Sequence, residues 1–145
     1  NNAFDLWNQG MAEGVFHPQF HGREHVNIPL WLKLLQENHR IFRLAFDHGL
    51  WGLGPQIIKS ERINIQASFD AIEKKEIQAQ KKIIKDGLTL FNLIFGYNSK
   101  SFIANNFVWD NSLNIILFEN RVDTFQGMKY QKIPLLNNAK RKMII

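Results

Sequence analysis

The chain of 145 residues contains no cysteine. This absence excludes disulfide bonds, thiolate metal sites and cysteine nucleophiles, and it agrees with a reducing compartment. No apolar run reaches the ~18–20 residues that a membrane helix needs, and no internal repeat is present. The first residues show neither a signal-peptide pattern nor an initiator methionine. We therefore expect a cytoplasmic protein with no membrane partner, and a sequence that is a fragment or a processed product.

The remaining composition is that of an ordinary globular domain, with 45% hydrophobic and 21% charged residues. A chain of this length can form a single domain over residues 1–145 with its own core. The net charge of +5 arises in residues 56–145, where lysines cluster at 74–85 and in the tail. Such lysines are typical of a solvated helix face. Because basic and aromatic residues do not alternate as in single-strand binders, we expect no nucleic-acid partner.

The spacing of apolar residues predicts alternating helices and strands. Helices are predicted over residues 3–12, 28–38 and 68–95, and from Asp110 or Ser112 to Glu119. Strands are predicted over residues 14–17, 41–46, 101–104, 122–125 and 130–135, with a loop at 50–65. Gly87 weakens the longest helix by about 1 kcal/mol relative to alanine, so a kink or a break is expected there. The alternation indicates an α/β protein with a parallel sheet.

Polar residues follow four of these predicted strands. They lie at residues 17–25, 47–48, 105–106 and 126–127. In folds built from parallel strands, ligands bind at the carboxyl ends of the strands. We therefore expect these four segments to share one site.

The segment His17-Pro-Gln-Phe-His21-Gly-Arg-Glu-His25 holds three of the five histidines, four residues apart. Imidazole is the commonest protein ligand for zinc-like metals, and two histidines at this spacing can converge on one ion. The alternative is that these histidines only bond backbone groups in a turn. The spacing fits a metal pair twice, as His17/His21 or as His21/His25.

Two longer stretches carry a family resemblance: Phe16-His-Pro-Gln-Phe-His-Gly-Arg-Glu-His-Val-Asn27, and the run from Phe95 to Asp110. With the shorter matches at 44–49 and 123–127, they resemble the polysaccharide deacetylase family, and more closely a bacterial branch with a His-Gly-Arg-Glu-His segment. The resemblance implies part of a distorted (β/α) barrel, with parallel strands alternating with helices. It also implies a divalent metal, zinc in the first place and cobalt or nickel as alternatives.

In this family a His-x-x-x-His motif at a strand end supplies two metal ligands. We expect the pair to be His21 and His25, because an apolar strand leads into it and a helix follows at the expected place. His21 belongs to both possible pairs, and His17 is the alternative partner.

The chain also departs from the family pattern. Two aspartates, one a metal ligand and the other the general base, precede the histidine motif in the family, and residues 1–14 do not contain them. The arginine and prolines of a later motif are replaced by Phe102-Ile-Ala-Asn-Asn-Phe107. The late Leu-x-His motif that supplies the general acid is not visible either.

Three residues are candidates for catalysis. Glu24 lies between the two histidines, although on a helix it would be rotated by about 100° from His25, and pairing with Arg23 is the alternative. His48 is a candidate proton donor or sugar contact, with Asp47 fixing its tautomer if the fold brings the two together.

Three further residues are candidates for substrate binding. Arg23 can hold a carboxylate or phosphate through two hydrogen bonds, although a structural ion pair is an equal alternative. Asn105 lies at a predicted strand end. Trp109, like Trp51, lies in or beside a loop, where its ring could stack on a sugar.

The resemblance thus implies a metal-dependent hydrolase that removes acetyl groups from an N-acetylated sugar or polysaccharide. The alternative is a relative that binds a carbohydrate or phosphosugar and has lost the catalytic aspartates. Four or five strands cannot close a barrel, so uncovered sheet edges and self-association through them are expected.

Overall fold

The computed structural model of the protein describes residues 3–61, 63–136 and 143–144. The helices are α1 (Ala3–Ala12), α2 (Ile28–Gln36), α3 (Arg40–Asp47), α4 (Pro55–Glu61), α5 (Lys74–Phe95) and α6 (Leu113–Glu119). The strands are β1 (Ser101–Ile103), β2 (Thr124–Gln126), β3 (Gln131–Lys132) and β4 (Met143–Ile144). Within these ranges, no helix has both the length and the apolar character needed to cross a membrane. The basic tail residues 140–142 lie outside the described residues.

A small parallel sheet organises the second half of the chain. β1 and β2 are parallel, with Ser101 opposite Thr124, and α6 connects them as a βαβ unit. Phe20 pairs in parallel with Phe102, so that it extends the sheet on the other side of β1. The mixed helix–strand class and the parallel sheet are therefore confirmed. In the described part of the chain the sheet is open and short, and it does not form a closed barrel.

Aromatic side chains fill the main core between this sheet and helices α5 and α6. Phe102 is 1% exposed, and its ring centre lies 5.8 Å from that of Phe20 and 5.3 Å from that of Phe69. A second, smaller cluster joins Leu34 of α2, Phe42 of α3 and Ile65. Phe20, the residue before His21, is 2% exposed and belongs to this core, so packing of its large apolar ring holds the start of the histidine segment.

The strand predicted at residues 41–46 is wrong, because the chain forms helix α3 there. Phe42 and Ala45 are buried, three residues apart, while Arg43 and Leu44 are exposed. This is the period of a helix and not of a strand. Arg43 and Asp47 lie one helical turn apart and form an ion pair, with Nε and Oδ1 3.2 Å apart. This pair adds to the stability of α3.

Two other predicted boundaries also differ. The strand predicted at 14–17 is wrong, since Val15 is 70% exposed and no strand of the described residues pairs with it. The sheet contact occurs at Phe20 instead. The loop predicted at 50–65 contains α4, which begins at Pro55, where a missing N–H costs no helical hydrogen bond.

The longest helix, α5, begins later than predicted and continues through Gly87 without a break. The carboxylate of Glu76 accepts hydrogen bonds from the backbone N–H groups of Ile72 (2.7 Å) and Glu73 (3.3 Å), which defines the start of the helix. Its end is Gly96, in the left-handed conformation with φ of 77°. Residues 68–71, predicted as its first turn, form a buried loop.

Gly87 allows α5 to approach the histidine segment closely. A Cβ atom at this position would lie 2.9 Å from Arg23 Cβ and 2.9 Å from Phe20 Cζ. We expect Gly87→Ala to lower the free energy of unfolding by about 1–2 kcal/mol, because overpacking outweighs the gain in helix propensity. Urea denaturation measures this change.

The control is Thr89→Ala, at an exposed position of the same helix, which should raise stability by a few tenths of a kcal/mol. If Gly87→Ala were as stabilising as Thr89→Ala, the close packing of α5 on residues 20–23 would be refuted.

Candidate functional site at the carboxyl end of the parallel strands

The backbone at Phe20 is held on both sides before the chain reaches His21. Its N–H donates to Ser99 Oγ at 2.9 Å, and its carbonyl accepts from the N–H of Ile103 at 3.2 Å. Phe20 and Ser99 are both buried. The pairing of Phe20 with β1 therefore places His21 at the carboxyl end of the strands, next to Ala104 and Asn105.

Both ring nitrogens of His21 have a partner. Nδ1 lies 2.8 Å from the carbonyl oxygen of Ile103. A carbonyl only accepts, so Nδ1 carries the proton, and Nε2 of the neutral ring is an acceptor. The side-chain amide of Asn105 donates to Nε2 at 2.9 Å, and Ser68 Oγ donates to Asn105 Oδ1. Four residues from three parts of the chain thus form one hydrogen-bonded chain.

The structure brings His21 and His25 together and leaves His17 elsewhere. The ring centres of His21 and His25 are 5.3 Å apart, and both side chains are exposed. His17 stacks on Tyr97 at 4.2 Å instead. Tyr97 in turn donates its hydroxyl to the carbonyl of Pro18 at 2.6 Å, and burial raises the pKa of its phenol. Of the two spacings, this geometry favours His21 with His25.

Arg23 and Glu24 pair with each other. The guanidinium donates from Nε to Oε2 at 2.5 Å and from Nη2 to Oε1 at 2.7 Å. Its third contact is Asp86 of α5, at 3.4 Å from Nη1. The hydrogen bond with Glu24 is the main reason that the pKa of Arg23 is raised. Both carboxylate oxygens of Glu24 are therefore engaged, and a role in proton transfer requires this pair to open.

A cavity of about 500 Å³ opens beside His21 at the end of the strands. It combines polar and apolar walls, as small-molecule sites do. Its polar lining residues are His21, Asn64, Asp70, Asn106 and Lys132, and Phe107 is among the apolar ones. Asn106 and Phe107 both have φ of 55°, a strained conformation of the kind that clusters at functional sites.

Buried amides hold the loop that forms one wall of this cavity. The Nδ2 group of Asn27 donates to the carbonyl of Asp70 at 2.9 Å and to that of Ala67 at 3.3 Å. Gln80 of α5 donates to the same Asp70 carbonyl at 3.0 Å. The predicted helix cap at Asn27 is confirmed by the bond from the N–H of Leu30. Asn27 therefore ties α2, which follows the histidines, to the loop carrying Asp70.

The sequence did not indicate Asn64, Ser68, Asp70 or Lys132 as site residues. These residues lie more than 40 positions from His21, and a single chain offers no signal for their convergence. The one available hint is that Asn64 and Asp70 border a mostly buried run with no helical period.

Asp47 and His48 lie at the end of α3, and neither lines the cavity beside His21. Asp47 pairs with Arg43, and His48 is exposed. Their expected placement at a strand end was wrong, because no strand exists at 41–46.

The two remaining candidates for substrate contact are buried. Trp109 is 4% exposed, its ring packs against Phe102, and its Nε1 donates to Asn114 at 2.9 Å. Asn105 is 1% exposed and contacts His21, while its neighbour Asn106 reaches the cavity. Asn105 therefore acts on the site through His21.

The imidazoles of His21 and His25 fit part of a zinc site. A proton fixed on Nδ1 by a carbonyl leaves Nε2 as the ligand atom, the usual arrangement behind a metal-bound histidine. In residues 3–61, 63–136 and 143–144, no group of three or more histidine, aspartate or glutamate side chains is arranged to hold a metal. These residues thus supply two imidazoles and no complete coordination sphere.

Comparison of the chain with models of protein families, with curated protein sequences and with solved structures gives no match. The functional assignment therefore depends on the geometry of the site and on the resemblance of its motifs.

Proposed function

We propose that this protein is a metal-dependent hydrolase of the polysaccharide deacetylase type that acts on an N-acetylated sugar. One observation carries the proposal. His21 lies at the carboxyl end of a parallel sheet, its Nδ1 is fixed by the Ile103 carbonyl, and the His25 ring is 5.3 Å away. The His-Gly-Arg-Glu-His segment of the resemblance thus coincides with the only close histidine pair among the ring contacts of the described residues.

In this proposal His21 and His25 hold a divalent metal, zinc in the first place. Such an ion, when bound, lowers the pKa of a coordinated water toward about 7 and polarises an acyl carbonyl. The aspartates of the family's first motif are the expected further ligand and base, and residues 1–14 do not contain them.

The cavity beside His21 supports a sugar as the ligand. Its volume of about 500 Å³ is in the range of small-molecule sites. Amide, carboxylate and ammonium groups from Asn64, Asp70 and Lys132 suit the hydroxyl and amide groups of an N-acetylated sugar, and Phe107 offers an apolar surface. Asp70 also brings a carboxylate to the same cavity as His21.

Acetate release from N-acetylated chitooligosaccharides tests the proposal. With stoichiometric zinc we expect acetate to appear above the protein-free control, and His21→Ala to reduce the rate by at least about 100-fold. The matched control is His48→Ala, an exposed histidine outside the cavity, which should retain the wild-type rate. Absence of acetate release by the zinc-loaded wild-type protein would refute deacetylase activity on this substrate class.

A second candidate is a binding protein that retains the cavity without catalysis. It is favoured by the Asn105 amide on His21 Nε2, which occupies the atom that a metal would bind. This candidate predicts that the metal-free protein binds the same oligosaccharides in calorimetry and that added zinc produces no acetate.

A further inference from the structure

We infer that Lys132 of β3 selects sugars that carry an anionic group, a carboxylate or a phosphate, in the cavity beside His21. The inference rests on the sugar cavity of the proposed function, and it depends on neither a bound metal nor hydrolysis. Lys132 lines this cavity, and among the described residues its side chain has no ion-pair or hydrogen-bond partner. An ammonium group in such a place is available to bind an anion.

Backbone pairing on both sides holds Lys132 in place. It pairs with Met143 of β4 and forms a parallel bridge with Val108. Its carbonyl accepts from the N–H of Trp109 at 3.3 Å, and Trp109 belongs to the main core. Because this backbone is fixed, a ligand that binds the ammonium has to order only the lysine side chain. The entropic cost of binding an anion there is correspondingly small.

The charges around the cavity favour a ligand with an anionic group. Besides His21, the titratable side chains among the described lining residues are Lys132 and Asp70, and no ion pair joins these two. An anionic sugar can bind the ammonium through its charged group and donate its hydroxyls to the Asp70 carboxylate. A neutral sugar leaves Lys132 without a counter-charge. Since hydrogen bonds between ionised groups are stronger than those between neutral groups, the anionic sugar should bind more tightly.

Calorimetric titration with three sugars that differ only at C6 tests the inference. The sugars are N-acetylglucosamine, its 6-phosphate and the corresponding 6-carboxylate. At low ionic strength we expect one or both anionic sugars to bind about tenfold more tightly than the neutral sugar, as one charge-assisted hydrogen bond would give. The two anionic sugars separate phosphate from carboxylate as the recognised group.

Variants of two lysines assign this preference to its source. Lys132→Met retains the apolar length and removes the charge, so it should lose the preference and bind the neutral sugar within about twofold of the wild type. Lys132→Arg restores a cation and should restore part of the preference. The matched control is Lys85→Met, which changes the net charge equally at an exposed position of α5 outside the cavity. It should retain the full preference.

Salt dependence provides a second readout. Lys132 is only partly buried, so dissolved ions screen its contact with an anion. We expect the preference for the anionic sugar to fall several-fold between ~20 mM and ~500 mM salt, while the affinity for the neutral sugar stays constant. A preference based on shape alone would not change with salt, and that result would contradict the inference.

Equal affinities for the three sugars, or a preference that persists in Lys132→Met, would overturn the inference and leave the proposed hydrolysis intact. Absence of binding by all three sugars would overturn it as well, and acetate release then decides the proposed function separately. Binding of an anionic sugar that depends on Lys132, by a protein that releases no acetate, would support the inference while the proposed hydrolysis fails.

Discussion

Replacing His21 by alanine is expected to weaken zinc binding by at least about 100-fold. The variant removes an imidazole whose Nδ1 lies 2.8 Å from the Ile103 carbonyl, which leaves Nε2 as the ring nitrogen that can bind a metal. Loss of an outer partner of a metal-bound histidine already costs 10–100-fold in affinity, and loss of the ligand itself should cost more. Calorimetric titration of zinc into wild-type and variant protein measures the change.

Two other histidines provide controls within the same chain. His48→Ala should leave zinc affinity unchanged, because His48 is exposed at the end of α3 and does not line the cavity. His17→Ala should have little effect, since the His17 ring stacks on Tyr97. His25→Ala should weaken binding as His21→Ala does. Equal zinc affinity in wild-type protein and His21→Ala would contradict the assignment of this pair.

Replacing Phe102 by alanine should lower the free energy of unfolding by about 4 kcal/mol. Phe102 is the middle residue of β1, is 1% exposed, and contacts the rings of Phe20, Phe69 and Trp109. Removing a buried phenylalanine ring costs its transfer energy and leaves a cavity, together about 3–5 kcal/mol. Urea denaturation followed by tryptophan fluorescence gives the value.

Phe118→Ala is the matched control, because Phe118 lies on α6 with 55% of its surface exposed. We expect a loss below about 1 kcal/mol for it. If the two variants lost similar amounts, Phe102 would not be at the centre of the core. In that case the sheet would not fix His21 as described above.

Local patterns in the sequence were sufficient for several helices and for β1. The bounds of α2, a helix with a clear apolar stripe, were predicted to within two or three residues, and so were those of the strand at 101–104. The run at 41–46 failed because six apolar-rich residues fit either a buried strand or a short helix, and only tertiary burial decides between them. The late start of α5 was missed because Phe69 and Ile72 fit the apolar spacing of a helix although both lie before α5 begins at Lys74.

The candidate site was predicted in part. The sequence indicated His21 and His25 through their four-residue spacing, and Asn105 because it follows the apolar run at 101–104. It did not indicate that Asn105 bonds to His21, because the two are 84 positions apart. For Arg23 and Glu24 the sequence left a functional role and mutual pairing open, and in the structure the two side chains pair with each other.

X-ray absorption at the zinc edge, on protein loaded with one equivalent of zinc, tests the central claim most directly. The proposed pair predicts two imidazole nitrogens at about 2.0–2.1 Å from the metal, with one lost in His21→Ala and one lost in His25→Ala. A zinc ion without imidazole ligands, or a protein that retains no zinc after dialysis, would contradict the claim that His21 and His25 form a metal site.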